Sequence, residues 1–194
     1  MNNISVLKKI FPTPPNNNYN GLNYDEEGLY SITHPKEADL ISLSIIEELK
    51  TNDIHIIDLT AGCGGNMISF MKHFTKVSGV EINNDRYNIL KANLAKYPFN
   101  NYELICDDAI NNLKDIYDVY FIDPPWGGPD YKKNISIDLY LSDLSLEDFI
   151  LKLPINKLIV LKLPFNYNIE NLNKFHIIKK FSLNNILIIF IEIK

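Results

Sequence analysis

The sequence predicts a doubly wound α/β sheet, mostly parallel, ending in an antiparallel hairpin and preceded by a short N-terminal extension. Two observations predict it. Short apolar runs alternate with stretches of helical spacing, the pattern that builds parallel sheets. The chain also breaks twice immediately after such runs, at Gly62-Cys63-Gly64-Gly65 and at Pro124-Pro125. Those are the carboxyl ends of strands, where open α/β sheets bind ligands.

The elements follow in order. Residues 1–30 carry Pro12, Pro14, Pro15 and the run Asn16-Asn17-Asn18, which break any long helix. A short amphipathic turn fits over 4–11. Residues 1–20 read either as a disordered tail or as a docked arm. Phe11, Tyr19, Leu22, Tyr24, Leu29 and Tyr30 are more apolar than a disordered arm needs. Thr33-His34-Pro35-Lys36-Glu37 starts a helix, with proline near its first position and an acid in its first turn. Ala38, Ile41, Ile45, Ile46 and Leu49 continue it. Strands are expected over 54–59, 77–82, 102–106, 117–122 and 158–163. Helices are expected over 65–74, 85–97 with Asp85 as N-cap, 109–113 and 144–153. Segments 175–181 and 186–193 form a hairpin across Asn184-Asn185. No repeat and no domain break after residue 35 are visible, so the chain divides into an extension, 1–34, and one domain, 35–194, and a chain starting at Gly28 is expected to keep its fold.

Composition narrows the function. The 194 residues are 46% hydrophobic, enough for a sizeable core. Net charge is −5, and of 19 Lys and Arg only Arg86 is arginine. A protein that tracks a long nucleic acid through many phosphates is usually basic, so a small or terminal nucleotide is favoured. Cys63 and Cys106 lack metal-ligand spacing; no metal site is expected. They read as free thiols of an intracellular, reducing compartment, nucleus or cytoplasm. No signal peptide or membrane-spanning run is visible, and a monomer is expected.

The first strand-to-helix turn reads Asp58-Leu59-Thr60-Ala61-Gly62-Cys63-Gly64-Gly65-Asn66. Its glycines admit a ligand close to the backbone, beside the free N–H groups of a helix start. Glu81, followed by Ile82, closes the second strand, where an acid can take both ribose hydroxyls. Asp107-Asp108 follows the third strand, placed to accept from a base amino group. Taken singly, each acid reads as well as a helix cap or a solvated loop residue. Three acids after three successive strands point to a nucleoside. The Gly-x-Gly-x-x-Gly of nicotinamide sites is absent.

The apolar run Val119 to Ile122 leads into Asp123-Pro124-Pro125-Trp126-Gly127-Gly128-Pro129-Asp130-Tyr131. Neither Pro124 nor Pro125 has an N–H, so the strand stops at Asp123. Trp126 is the only tryptophan. An acceptor, a stiff turn and an aromatic plane suit the alkylation of a planar exocyclic nitrogen, which must be held in plane and aimed. Taken alone, the loop also reads as a proline-rich surface turn with a partly buried Trp. The tetrad Asp-Pro-Pro-aromatic resembles that of N-methyltransferases, and the longer string Pro-Pro-Trp-Gly-Gly-Pro-Asp-Tyr resembles the trimethylguanosine synthase family, which methylates N2 of a 7-methylguanosine RNA cap.

That resemblance covers roughly residues 22–170 and implies a Rossmann-like class I methyltransferase. S-adenosyl-L-methionine is then the cofactor, held by Asp58, Thr60, Ala61, Gly62, Cys63, Gly64, Glu81, Ile82, Asp107, Asp108 and Pro124. The partner is a 7-methylguanosine-capped RNA or cap analogue. Asp123, Pro124 and Trp126 would be catalytic. Ser31, Asn93, Pro125, Trp126 and Asp123 would meet the base, and Lys8 or Lys9 the cap phosphates. Neither His34 nor His73 is placed to be a base. Three departures stand out: Leu29 where the family has Trp, His34 as an insertion, and Phe165 where the family tends to have Arg. The other readings are an N-methyltransferase of adenine N6 or internal guanine N2, and a cap-binding module without catalysis.

Overall fold

A computed structural model describes residues 3–193; the ends of the two sequence divisions, residues 1, 2 and 194, lie outside it. One seven-stranded sheet organises the chain. Its strands are β1 (His55–Asp58), β2 (Lys76–Val80), β3 (Tyr102–Ile105), β4 (Val119–Ile122), β7 (Leu158–Pro164), β8 (His176–Leu183) and β9 (Ile186–Glu192). They lie in the order β3-β2-β1-β4-β7-β9-β8. The first five are parallel, and β9 inserts antiparallel between β7 and β8. A separate two-stranded ribbon joins β5 (Tyr140–Leu141) to β6 (Leu144–Ser145). The Rossmann-like sheet and its terminal hairpin agree with the sequence reading, including the turn at Asn184, whose φ is +52°.

Period-two alternation splits the core in two. Ile56, Val119, Phe121, Val160 and Phe190 point to one face, under helices α3 (Pro35–Leu49), α4 (Gly65–His73) and α5 (Asn84–Leu94). Ile57, Tyr120, Ile122, Leu161 and Ile191 point to the other, under α6 (Leu146–Ile150). The sheet ends at β8, where the pairing register shifts between Ile177 and Lys179.

Three local expectations are corrected. Asn83, not Asp85, caps α5: its Oδ1 accepts from the Asp85 and Arg86 N–H groups, and a cap must lie two or three residues before the donors it serves. The helix stops at Leu94 rather than Tyr97, which turns inward so that its hydroxyl donates to the Pro12 carbonyl (2.8 Å). The stretch 144–153 opens as a strand before Ser145 caps the short α6. The short helix expected over 109–113 is present as a 3-10 helix, Ala109–Asn112, capped by Asp108.

The extension is not a tail. Asn3 caps helix α1 (Ile4–Ile10), and Leu7, Ile10, Phe11, Tyr19 and Leu22 belong to the same core cluster as Phe70 and Leu94. The short helix α2 (Gly28–Ser31) then brings the chain against the glycine loop. A Cβ on Gly65 would stand 2.9 Å from Ile32 and 3.1 Å from the Thr33 nitrogen, so only glycine admits that approach. The expectation that a chain starting at Gly28 keeps its fold is therefore revised. Fully burying one such apolar side chain is worth about 1.5–3 kcal/mol, and a whole domain is stable by about 5–15 kcal/mol. Starting the chain at Gly28 is expected to abolish the cooperative thermal transition; a chain so shortened that melts within a few degrees of the parent would show the arm to be dispensable.

Candidate active site

β1 and β4 are neighbours, yet the strands next in sequence lie on opposite sides of them. Their carboxyl ends therefore part, and a cleft of about 910 Å³ opens there. That is the upper end of the range for small-molecule sites. Two ends can be distinguished.

The first is built on the loop after β1. Asp58 is fully buried, and its Oδ1 accepts from the Thr60 N–H (3.0 Å). Thr60 Oγ1 in turn accepts from the Asp123 N–H (2.8 Å), so one side chain links the two loops. Burial pushes the Asp58 carboxyl up to about 7 against the pull of the Thr60 bond, and the charge of Asp123 adds to the rise. Asp58 does not reach the cleft wall; it supports the loop from beneath. Thr60, Ala61, Gly62 and Cys63 do line the cleft. Gly62 has φ +55°, and a Cβ there would find nothing nearer than the Thr60 carbonyl at 3.9 Å, so a ligand can lie on its backbone. Gly64 only starts α4 and is not in the wall. Cys63 is inert: burial pushes its thiol up to about 12. Cys63 and Cys106 are both free.

Glu81 is 6% exposed and lines the cleft. Its Oε2 accepts from the Gly62 N–H (3.0 Å) and its Oε1 from the Asn83 N–H (2.9 Å). Burial raises its pKa, with those two bonds among the opposing effects. Each oxygen keeps acceptor capacity for a hydroxyl from the cleft. Ile82, 66% exposed, presents an apolar side chain beside it. Asp107 also lines the wall, but its carboxylate holds Asn111, Asn112 and the Asp108 N–H, and the Asn111 bond leads in lowering its pKa. Asp108 Oδ1 accepts from the Ile110 N–H and from the Ser142 hydroxyl of the β5–β6 ribbon. The donor set and open glycine backbone fit an adenosyl group, which Glu81, Ile82 and Asp108 would hold.

The second end is the Asp-Pro-Pro-Trp loop. Asp123, Pro124, Pro125 and Trp126 all line the cleft. The sequence reading missed the residue that fixes them. Lys162, in the middle of β7 and 3% exposed, places its ammonium 2.5 Å from Asp123 Oδ2 and 4.9 Å from the Trp126 ring centroid. Burial raises the Asp123 pKa, and Lys162 opposes it. The indole N–H makes no hydrogen bond of normal geometry, though it lies close enough to help hold the carboxylate down. Tyr131 packs edge-on against Trp126 (centroids 5.1 Å, 81° between planes). The one signal for Lys162 was a lysine inside an otherwise unbroken apolar run.

Ser31 also lines the cleft, together with Tyr30, Thr33 and His34, so the segment before α3 forms its rim. His34 caps α3 through Nδ1, and His73 is held by Asp39 (3.0 Å). Arg86 is tied to Asp25 and Glu27 (2.8 and 2.6 Å), bracing that rim. Like Asp58 and Gly64, the expected base and phosphate contacts Asn93, Lys8 and Lys9 do not line the cleft. Asn93 is fully buried, its amide spent on Asn23 and the Cys63 carbonyl. Its place in the last turn of α5 points it at the extension. Lys8 and Lys9 sit on α1 away from the cleft, Lys8 over the Tyr19 ring. Among the described residues no group of three His, Cys, Asp or Glu could hold a metal, and no helix is long and apolar enough to cross a membrane.

A sheet of this order with a nucleoside-sized end beside an Asp-Pro-Pro-Trp loop is the architecture of class I methyltransferases. Solved structures agree in fold. A T. thermophilus 16S rRNA N2 G1207 methyltransferase, solved with AdoMet and guanosine, matches with a TM-score of 0.59 at 17% identity, covering 91% of this chain and 45% of that one. A ribosomal protein L11 methylase from Lactobacillus delbrueckii matches at 0.57 and 14%, covering 82% and 79%. Sequence goes further: the family model for RNA cap guanine-N2 methyltransferase matches residues 54–191, and the chain belongs to that family. It is 33% identical to trimethylguanosine synthase of Schizosaccharomyces pombe over 65% of this chain and 62% of that one. Against the Saccharomyces cerevisiae trimethylguanosine synthase the figures are 26%, 77% and 50%. The chain thus spans only half to three-fifths of those two relatives. An uncharacterized mimivirus protein, L320, is 29% identical over 97% of this chain and 86% of its own length.

Proposed function

We propose that the protein transfers a methyl group from S-adenosyl-L-methionine to the exocyclic N2 of a 7-methylguanosine RNA cap. The observation that carries this is the convergence, in one cleft, of the Glu81 end with the Asp123, Trp126 and Lys162 cluster. When bound, the cofactor supplies a methyl already activated by its sulfonium. The protein's task is then position, and a well-oriented pair can gain several kcal/mol of barrier, up to about 7–11. Trp126 holds the guanine plane. Asp123 Oδ1, the oxygen not paired with Lys162, accepts one hydrogen of the amine, and the Pro124 carbonyl offers a second acceptor. No strong base is needed, because the amine loses its proton after attack, to Asp123 or to solvent. Residues 1–34 contribute Glu27, Tyr30, Ser31, Ile32, Thr33 and His34 to the wall of the cap site, and 35–194 the rest.

Mass spectrometry of cap analogues incubated with S-adenosyl-L-methionine tests the reading. Methylation of 7-methyl-GTP well ahead of GTP is expected. Equal rates on the two would sink the cap reading and promote internal guanine or adenine as target. Binding of a cap analogue without any turnover would favour a binding module.

Glu81→Ala is expected to weaken S-adenosyl-L-methionine binding by about 1–3 kcal/mol, the usual loss for hydrogen bonds to a charged acceptor. Calorimetry checks this, and an unchanged affinity removes Glu81 from the cofactor site.

A further inference from the structure

The aromatic surface does not stop at Trp126. Tyr131 packs against the indole, and Phe165 lies beyond it, its centroid 6.5 Å from the Tyr131 ring at 57°. Phe165 is 55% exposed at the end of β7, outside the cleft wall that Tyr131 lines. Its backbone is fixed: the Phe165 N–H donates to the Asn185 carbonyl (3.2 Å). The next residue, Asn166, is 8% exposed and donates to the carbonyls of Tyr131 and Asn134 (both 2.9 Å), tying the turn that carries Tyr131 to the strand end that carries Phe165. A buried amide thus holds an open phenyl ring at a set distance from the target loop. Beside the row, Lys132 places its ammonium 5.7 Å from the Tyr131 centroid and makes no ion pair among the described residues.

An exposed ring on a fixed backbone, one aromatic residue away from a base-stacking tryptophan and with a cation over the ring that joins them, suits a nucleotide longer than one unit. Aromatic faces take any base by stacking, and a lysine takes the phosphate that joins two nucleosides. We infer that Phe165, with Tyr131 and Lys132, forms a second subsite that stacks the base of the nucleotide joined through the phosphate bridge to the methylated guanine. The inference rests on the cap reading, which places that guanine on Trp126.

The test compares kcat/KM for 7-methyl-GTP with that for the dinucleotide 7-methylguanosine-triphosphate-adenosine, which has the same three phosphates. The parent protein is expected to prefer the dinucleotide about five- to tenfold, the low end of base–aromatic stacking given the ring's exposure. Phe165→Ala should lose that preference while keeping the parent rate on 7-methyl-GTP, and Phe165→Tyr should retain it. No preference in the parent, or the same preference in Phe165→Ala, overturns the subsite. A Phe165→Ala protein equally impaired on both substrates overturns it too, since Phe165 would then serve the fold or the target base. If the parent methylates neither substrate, the cap reading has failed and the subsite falls with it.

Discussion

Trp126→Ala is expected to lose nearly all methyl transfer while binding S-adenosyl-L-methionine as the parent does. The indole belongs to the loop after β4 and takes no part in the Gly62–Glu81 hydrogen bond, so its removal leaves that pair intact. On the proposed cap function, what is lost is the plane that holds the guanine. A base methylated at N7 carries positive charge, and a cation over an indole gains about 0.5–2 kcal/mol, roughly a three- to thirtyfold preference over neutral guanine at 1.4 kcal/mol per decade. Trp126→Phe should therefore keep some activity and lose part of that discrimination. The structure adds a cost: Trp126 packs on the second core cluster and meets Lys162, so the alanine variant should also melt a few degrees lower. Parallel loss of cofactor affinity and melting temperature, with equal rates on GTP and 7-methyl-GTP, would show that Trp126 is only packing.

Lys162→Met is the second large effect. The substitution keeps the volume of the side chain and leaves Asp123 buried without its partner. Breaking a buried ion pair from one side typically costs about 3–5 kcal/mol. The pH dependence follows from sign. Burial already raises the Asp123 pKa, and Lys162 is what opposes the rise. Without it the folded-state pKa climbs further above the unfolded value of about 3.9. Protonated Asp123 is tolerated in the fold, so its contribution to stability is full below pH 4 and is lost as pH rises through the folded pKa. The variant should be nearly as stable as the parent near pH 4 and clearly less stable at pH 8. Its activity should rise with pH along a limb displaced to the alkaline side, because the carboxylate is the stronger acceptor of the amine hydrogen and alone can take up its proton. Melting curves displaced equally at every pH would mean that Lys162 acts by packing alone.

Much of this site was legible in the chain because its parts are local. Glycines after one strand, an acid after the next, and prolines after the fourth each mark a strand end by their own backbone chemistry. Parallel topology then brings those ends together. Lys162 was not legible in that way. Its role depends on β7 lying beside β4 in a register that sets Leu161 opposite Ile122, a long-range pairing that no local pattern states. Asn93 erred in the opposite direction. Its place on the helix after the ribose acid suggested a base contact, but α5 turns that face toward the extension, and the amide became a clasp for residue 23. The arm itself was ambiguous because prolines and asparagines break helices whether or not the apolar residues between them find a core.

The register shift in β8 bears on how the molecule behaves in a crowded solution. An outer strand offers unpaired N–H and C=O groups along its free side, a template for another chain. Here Ile178 is the extra residue, and the lysines at 179 and 180 follow it, Lys179 drawn toward Glu47 (2.6 Å). A bulge and a charged border twist that side of the sheet and make it a poor surface for zipping edge to edge. Deleting Ile178 would straighten the strand, and the consequence should appear as concentration-dependent assembly rather than as any change in methyl transfer.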